Sequence, residues 1–434
     1  MQADDKTYRI HINHVTRVEG HGSIRIDTHK GAVENVKLEI VEAHRFFESF
    51  VRGMLPHDVP QTVSRICGIC CVGHQLAATK AVEAALGLEV SEQTLLLRKL
   101  FNQSQFLQSH ALHVFFLAVP DYAGTQSILP LAQTQPEVVK RALRLKKLAN
   151  DYTAVLGGRA LHPMSPTLRG WRKLPDMAAL EDLRGRLRAA LGEMDAMVEF
   201  YRAGVKIPDY ERETEYVCLH HPEEYALYDG QVMSSLGAIS PVSEYRSVTN
   251  EFTVAHCTTK WSKWHRESYM VGALARVNNN HAQLHPQARE VADALGLRPI
   301  CYNPYHNNTA QMVEMVHCLH DSIALIERIL ERGLTPEDIG YTPGPGRGVG
   351  ATEVPRGILF HEYAFDDDGR CFDANAIIPT SQNINNVEQD MRAFVPKMLP
   401  KMQQDELALH MEMLLRAYDP CISCSVHMLD VEFV

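Results

Sequence analysis

Two Cys-x-x-Cys pairs stand near opposite ends of the chain: Cys67 and Cys70 in Arg65-Ile66-Cys67-Gly68-Ile69-Cys70, and Cys421 and Cys424 in Asp419-Pro420-Cys421-Ile422-Ser423-Cys424. A thiolate is a soft donor, and four converging ones select zinc, nickel or iron. Each pair can present two sulfurs to one metal, and a histidine follows each, His74 and His427. Pairs so far apart can share a metal only if the fold brings the two ends together, which would make the site the organising centre of the molecule. Plain structural zinc is disfavoured, because zinc knuckles usually stand ~15–20 residues apart. Independent redox dithiols are disfavoured too, since neither pair follows a strand in a βαβ setting.

Four thiolates on nickel or iron create a charge problem. They at best cancel two divalent cations, and any further anionic ligand leaves a buried site negative, which is costly. A guanidinium beside them offsets that charge and cannot lose its proton. Arg356, in Glu353-Val354-Pro355-Arg356-Gly357, is the candidate, held on a Pro–Gly turn. A surface arginine in a turn is the equal alternative.

With 434 residues, 45% hydrophobic and 22% charged, the chain has the composition of an ordinary soluble globular protein. The net charge of -10 and the lack of long lysine/arginine runs argue against nucleic acid as a partner. No run of about eighteen apolar residues predicts a transmembrane segment. The start, Met1 to Lys6, lacks the pattern of a secretory signal. The cytoplasm is therefore the expected location, although a partner subunit could carry an export signal. Ten cysteines are too sparse for a disulfide scaffold. Those outside the pairs, Cys71, Cys218, Cys257, Cys301, Cys318 and Cys371, lack ferredoxin-type spacing. If the protein does redox chemistry, the onward electron carriers sit on another chain.

Regular elements must hold these residues in place. Period-two alternation in Tyr8–Ile12, Ser23–Asp27 and Val36–Ile40 predicts a small antiparallel sheet. Helical spacing then predicts long helices over 91–117 (stopped by Pro120), 136–157, 180–200 and 309–332, and a last one over 387–418 kinked at Pro396 and Pro400. The stretches 205–245 and 333–383 read as irregular. Thr342 to Gly350 is too rich in proline and glycine for regular structure, and no Gly-Lys-Ser/Thr follows to make it a phosphate loop. The expected fold is α+β and predominantly α, a long-helix bundle with a small N-terminal antiparallel sheet. It is expected to be one integrated domain over 1–434, with a β region at 1–45, a helical body at 60–204 and 246–332, and a part at 333–434 that completes the metal site.

Six motifs occur together in one order. They are Val15-Thr16-Arg17-Val18-Glu19-Gly20-His21, the first cysteine pair, Ser109-His110-Ala111-Leu112-His113 with Pro120-Asp121-Tyr122, Pro355-Arg356-Gly357, Pro379-Thr380-Ser381-Gln382-Asn383 and the second pair. The set resembles the large, catalytic subunit of nickel–iron hydrogenases over nearly the whole length. That resemblance implies that family's large-subunit fold and the reversible heterolytic cleavage of dihydrogen to protons and electrons. It implies a NiFe(CN)2CO centre with Cys67 and Cys421 as terminal nickel ligands and Cys70 and Cys424 as bridges. Pro355, Arg356 and Thr380 would line that centre, with the Arg356 fork fixed by Asp121 and Asp419 and a bridging sulfur hydrogen-bonded by His74. The Cys421 thiolate or Arg356 would take the proton, and Glu19 would relay it. Glu48 and His427 would hold a magnesium (in some members iron), although imidazole is an unusual magnesium ligand.

Three features depart from the family pattern. Phe46-Phe47-Glu48 stands where many relatives have Arg-Gly-Phe-Glu, and Gln382 where many have Trp. Met428 to Val434 follow His427, a tail that a maturation protease removes in most members. The Phe-Phe-Glu segment and the ending Cys-Ile-Ser-Cys-Ser-Val-His resemble the cytosolic, cofactor-coupled branch, NAD(P)-linked or sulfhydrogenase-like. The implied partners are a small iron–sulfur subunit, diaphorase-type flavin subunits that use NAD(P), a maturation protease and nickel chaperones. Alternatives are a hydrogen sensor, a chain serving heterodisulfide reduction, and a metal-free electron-transfer scaffold like that of respiratory complex I. The four retained cysteines argue against the last.

Overall fold

The alternating residues at the start of the chain form three antiparallel strands, β1 Arg9–Ile12, β2 Gly22–His29 and β3 Ala32–Ile40, in a computed structural model that describes residues 7–426. Ile24, Ile26, Leu38 and Ile40 turn to one face and are fully buried, as a period of two requires. Four long helices follow: α1 Cys71–Leu86, α2 Glu92–Leu112, α3 Pro136–Gly157 and α4 Met177–Gly204. Ser91 caps α2 by accepting the Thr94 N–H, and Asp176 caps α4 in the same way. Proline at its first position and glycine past its end bound α3 as the sequence predicts. The helix expected over 91–117 is a regular helix only as far as Leu112. It then widens into a π turn over His113–Ala118 and re-forms at Val119–Tyr122, which places Asp121.

Next come β4 Glu215–His220, β5 Gln231–Ser234, β6 Ile239–Ser240, β7 Phe252–Val254, β8 Cys257–Trp261 and β9 Tyr269–Met270, with α5 Ala273–Asn280, α6 Pro286–Ala294 and α7 Asn307–Arg332. The chain continues with β10 Gly346–Val354, β11 Gly357–Phe365, β12 Cys371–Ile377, α8 Pro379–Met398 and α9 Gln404–Ala417. The main sheets have the strand orders β1-β2-β3-β8-β7, β9-β4-β5-β6 and β10-β11-β12. One continuous buried core takes in Ile10, Phe106, Leu319 and Val426, so both ends of the described chain belong to it. The architecture is α+β and predominantly helical.

Two expectations need correction. The stretches read as irregular contain β4 to β6 and the whole β10-β11-β12 sheet, and the single kinked helix over 387–418 is the pair α8 and α9. The β10 case has a clear cause. Gly346, Gly348 and Gly350 alternate along the strand and face the alanines of α1. A Cβ at Gly348 would lie 2.2 Å from the Ala85 nitrogen and 2.3 Å from the Ala81 oxygen, and one at Gly350 would lie 2.3 Å from the Ala77 oxygen. The glycines mark the line on which a helix backbone rests against a strand, a use of strand glycine that local composition cannot distinguish from a loop. They set the seat of α1, the helix that carries Cys70 at its N-cap.

Gly348→Val is expected to lower the thermal unfolding midpoint, at a cost of about 3 kcal/mol or more from overpacking. Gly185→Ala, in α4 with nothing within 4 Å of the added methyl, is expected to raise it. Equal midpoints for the two variants would contradict this account of the α1 seat.

Candidate metal centre

The first cysteine pair lies where a tight turn, Ser64–Ile66, meets the N-terminus of α1. The Cys67 sulfur accepts the N–H groups of Ile69 and Cys70, each at 3.3 Å, which folds the loop around it. The second pair follows α9. Asp419 takes a left-handed φ of 50° and turns the chain back, so that Cys421 opens the short helical turn Ile422–Ser425. The N-terminal segment clamps this turn. Ile422 N–H donates to the Glu19 carbonyl at 2.9 Å, and a Cβ on Gly20 would lie 2.7 Å from Ile422 Cβ and 2.8 Å from the Ser423 nitrogen. Only glycine allows that approach, and its φ of 85° suits glycine as well.

The fold thus joins the two ends. The sulfurs of Cys67 and Cys421 are 3.7 Å apart, and those of Cys67, Cys70 and Cys424 all lie within 4.8 Å of one another. All four are buried free thiols. Hydrogen bonds from Cys421, Cys424 and Cys67 push the Cys70 thiol well below its usual pKa, while the hydrogen bond to Cys421 and those to Cys67 and Cys70 hold the Cys424 proton well above it. A cation among the sulfurs would favour their thiolate forms.

Arg356 stands beside it. Val354 pairs with Gly357 across the β10–β11 hairpin, so Pro355 and Arg356 are the two residues of its tip. Arg356 Nε donates to the Asp419 carbonyl at 2.6 Å and to Asp419 Oδ1 at 3.1 Å, with Nη2 3.0 Å from the same oxygen. Its Nη1 is buried without a hydrogen-bond partner among the described residues. Burial alone would lower the guanidinium pKa, but Asp419, Cys421, Cys67 and Cys70 together raise it well above its usual value.

Asp121 is placed differently from the expectation. Its carboxylate pairs with Arg17 at 2.5 Å and with Arg416 at 2.7 and 2.9 Å, not with Arg356. Two guanidiniums take both of its oxygens, and Arg416 also donates to the Thr16 carbonyl at 3.0 Å. Asp121 thus fastens the segment leading to Glu19 onto α9, and among the described residues Asp419 is what orients Arg356.

Of the other expected residues, Glu19 and Thr380 meet the second cysteine pair directly. Glu19 Oε2 accepts from the Cys421 thiol at 3.1 Å and from Ser423 N–H at 3.2 Å, and Oε1 accepts from the Ser423 hydroxyl at 2.5 Å. Thr380, at the start of α8, accepts the Cys421 N–H at 3.0 Å, which leaves its own hydroxyl hydrogen to donate elsewhere. His74 Nδ1 lies 3.0 Å from His361 Nε2, and its Nε2 is buried without a partner among the described residues. Glu48 accepts the Ala376 N–H at 2.8 Å. His427 and the tail after it lie outside the described residues, so of the pair expected to hold magnesium only Glu48 is described.

Sequence reasoning missed what holds the arginine hairpin from behind. Arg276 of α5, fully buried, donates to the carbonyls of Val354 (3.0 Å) and Pro355 (2.9 Å) while pairing with Glu314 and Glu353. Burial raises the Glu353 carboxyl to about 7, whereas at Glu314 burial is outweighed by Arg276, which brings it down to about 2. The available signal was an arginine set among Ala273, Leu274, Ala275 and Val277, because a charge in so apolar a stretch is usually buried and paired.

Buried free thiols in close contact, with the guanidinium of Arg356 beside them, fit a sulfur-ligated metal centre with anionic ligands. Comparison with known proteins agrees. A family model described as nickel-dependent hydrogenase matches residues 45–154 and 223–427, and one described as HoxL-like matches residues 9–43. Sulfhydrogenase 1 subunit alpha of Pyrococcus furiosus is 34% identical over 420 residues, covering 96% of this chain and 97% of that protein. Sulfhydrogenase 2 subunit alpha of the same organism is 30% identical over 425 residues, covering 96% and 98%. A crystal structure of an NAD+-reducing [NiFe]-hydrogenase in the H2-reduced state matches with a TM-score of 0.85 at 28% identity, covering 98% of this chain and all of that one. The chain belongs to the nickel-dependent hydrogenase family.

Proposed function

We propose that this catalytic hydrogenase subunit splits dihydrogen reversibly at a nickel–iron centre held by Cys67, Cys70, Cys421 and Cys424, and passes the electrons to an iron–sulfur partner subunit and on to NAD(P). The observation that carries this reading is the convergence of four buried free thiols from the two ends of the chain beside an unpaired guanidinium nitrogen. When bound, a nickel–iron pair with carbon monoxide and cyanide ligands supplies the hydrogen-splitting and electron-accepting chemistry. Cys67, Cys70, Cys421 and Cys424 would hold that pair through their sulfurs.

The protein's part is charge and proton control. Arg356 offsets the negative charge of the sulfurs without ever giving up its proton. Asp419 fixes the plane of its fork. Cys421 is the base for the proton, and Glu19, at 3.1 Å from its sulfur, stands at transfer distance. Ser423 holds both oxygens of that carboxylate in line through its N–H and hydroxyl. Glu48 supplies a hard carboxylate oxygen for magnesium.

Electrons leave at the Cys67–Cys70 loop. Gly68, between the two cysteines, is exposed, with nothing within 4 Å of a Cβ built on it. Arg45 donates to the Ile66 carbonyl at 2.7 Å and His162 contacts the Ser64 carbonyl, so the exposed Phe46 and Leu161 border the same loop. A partner's iron–sulfur cluster over Gly68 would be separated from the sulfurs by a single residue's thickness. The similarity to an NAD+-reducing hydrogenase supports NAD(P) as the final acceptor. Among the described residues no helix is long and apolar enough to cross a membrane.

Cys421→Ser is expected to abolish dihydrogen uptake and nickel retention, and hydrogen/deuterium exchange at the native rate would contradict its ligand role. Glu19→Gln is expected to stop proton exchange while the infrared bands of the metal centre persist; normal turnover in that variant would remove Glu19 from the relay. Arg356→Lys is expected to cut turnover about 100-fold with metal retained, because an ammonium cannot reproduce the donor fork. Unchanged turnover would sink that role.

A further inference from the structure

Behind the quartet, three side chains stand in a row. His361 and Tyr363 are two residues apart on β11, so they share the face turned to α1. The Tyr363 hydroxyl is 2.6 Å from His361 Nδ1, and His361 Nε2 is 3.0 Å from His74 Nδ1, with the two imidazole rings crossing at 86°. All three are buried, His74 and His361 at 0% exposure and Tyr363 at 2%. His74 lies one helical turn from Cys70, whose carbonyl accepts its N–H at 3.1 Å. The far nitrogen of His74, Nε2, has no partner among the described residues.

We propose that Tyr363 and His361 are positioning residues that fix the tautomer of His74, so that its Nε2–H is a standing hydrogen-bond donor to the cysteine sulfurs. The proposal rests on the metal-centre reading above and deepens it.

A neutral imidazole has one donor nitrogen and one acceptor nitrogen, and the bond made by one decides the other. Burial, with Cys371 and Glu48 nearby, pushes the Tyr363 hydroxyl well above its usual pKa, so the phenol keeps its proton and donates it. His361 Nδ1 must then be bare, and its proton sits on Nε2, where it donates to His74 Nδ1. That nitrogen must in turn be bare, which leaves the His74 proton on Nε2. Along this row each bond sets the next once the phenol donates. The reverse order would aim a bare lone pair at sulfurs that carry negative charge when they hold metal. A sulfur that accepts an N–H bond is less basic and shares less charge with its metal, so a tautomer set two residues away tunes the centre.

The first test uses nitrogen-15 NMR of the histidines in the full, metal-free chain. His74 is expected to carry its proton on Nε2 in the native protein. It is expected to move to Nδ1 or to an exchanging mixture in His361→Leu, and to stay on Nε2 in His361→Gln, whose amide still donates to Nδ1. Tyr363→Phe, which removes a single oxygen, is expected to loosen the tautomer in the same direction and serves if the leucine variant fails to fold. A proton on Nδ1 in the native chain, or a His74 tautomer that ignores all three substitutions, would overturn the proposal. The second test is infrared spectroscopy of the matured complex. The carbonyl band is expected to shift to lower wavenumber in His361→Leu and to return in His361→Gln, and a band unmoved while the tautomer changes would overturn the sulfur contact. A matured complex without nickel would instead overturn the hydrogenase reading, an outcome the metal-free NMR experiment tells apart.

Discussion

Four thiols packed close to one another in a dry interior cannot all become thiolates unless positive charge comes with them. The rest of this structure answers that constraint. Metal provides most of the charge, and Arg356 provides one more unit that is independent of metal and of pH. The guanidinium has to be buried to act on the sulfurs, and a buried guanidinium needs its own counter-charge. Asp419, two residues before Cys421, supplies it. The cation thus lies on a hairpin tip, and its counter-ion on the short segment that also carries the second cysteine pair.

The closure is long-range, and several unrelated devices enforce it. Asp121, between Arg17 and Arg416, ties the Glu19 segment to the last long helix. Gly20 lets that segment pass against Ile422 at backbone distance. Arg276 braces the arginine hairpin by its carbonyls, and its two carboxylate partners satisfy it in turn. A buried ionic group adds little net stability, yet removing one member of such a set leaves an uncompensated charge. These networks are better understood as holding geometry than as holding the fold together, which the continuous apolar core does.

Much of this was readable from the sequence, and the parts that were not share a cause. Strands β1 to β3 and helix α3 declare themselves locally, through alternation and through Pro136 and Gly158. The cysteine pairs and Arg356 were readable because soft donors and charge balance are matters of residue type. Strand β10 was not, because Gly346, Gly348 and Gly350 owe their place to a helix more than 250 residues earlier, and local composition reads them as a loop. Asp121 was recognised as important but given the wrong partner, since Arg17 and Arg416 are neighbours only after folding. Arg276 and Glu314, and the run from Tyr363 through His361 to His74, likewise become visible once β11, α5 and α7 are packed together.

The claim on which everything else stands is that head and tail sulfurs close on one bimetallic centre. Nickel-edge X-ray absorption on the anaerobically matured complex, with metal analysis of the same sample, tests it most directly. The account predicts one nickel and one iron per chain, with a nickel shell dominated by sulfur and an iron neighbour just beyond it. Zinc in place of nickel, or nickel coordinated by nitrogen and oxygen with no iron nearby, would contradict it.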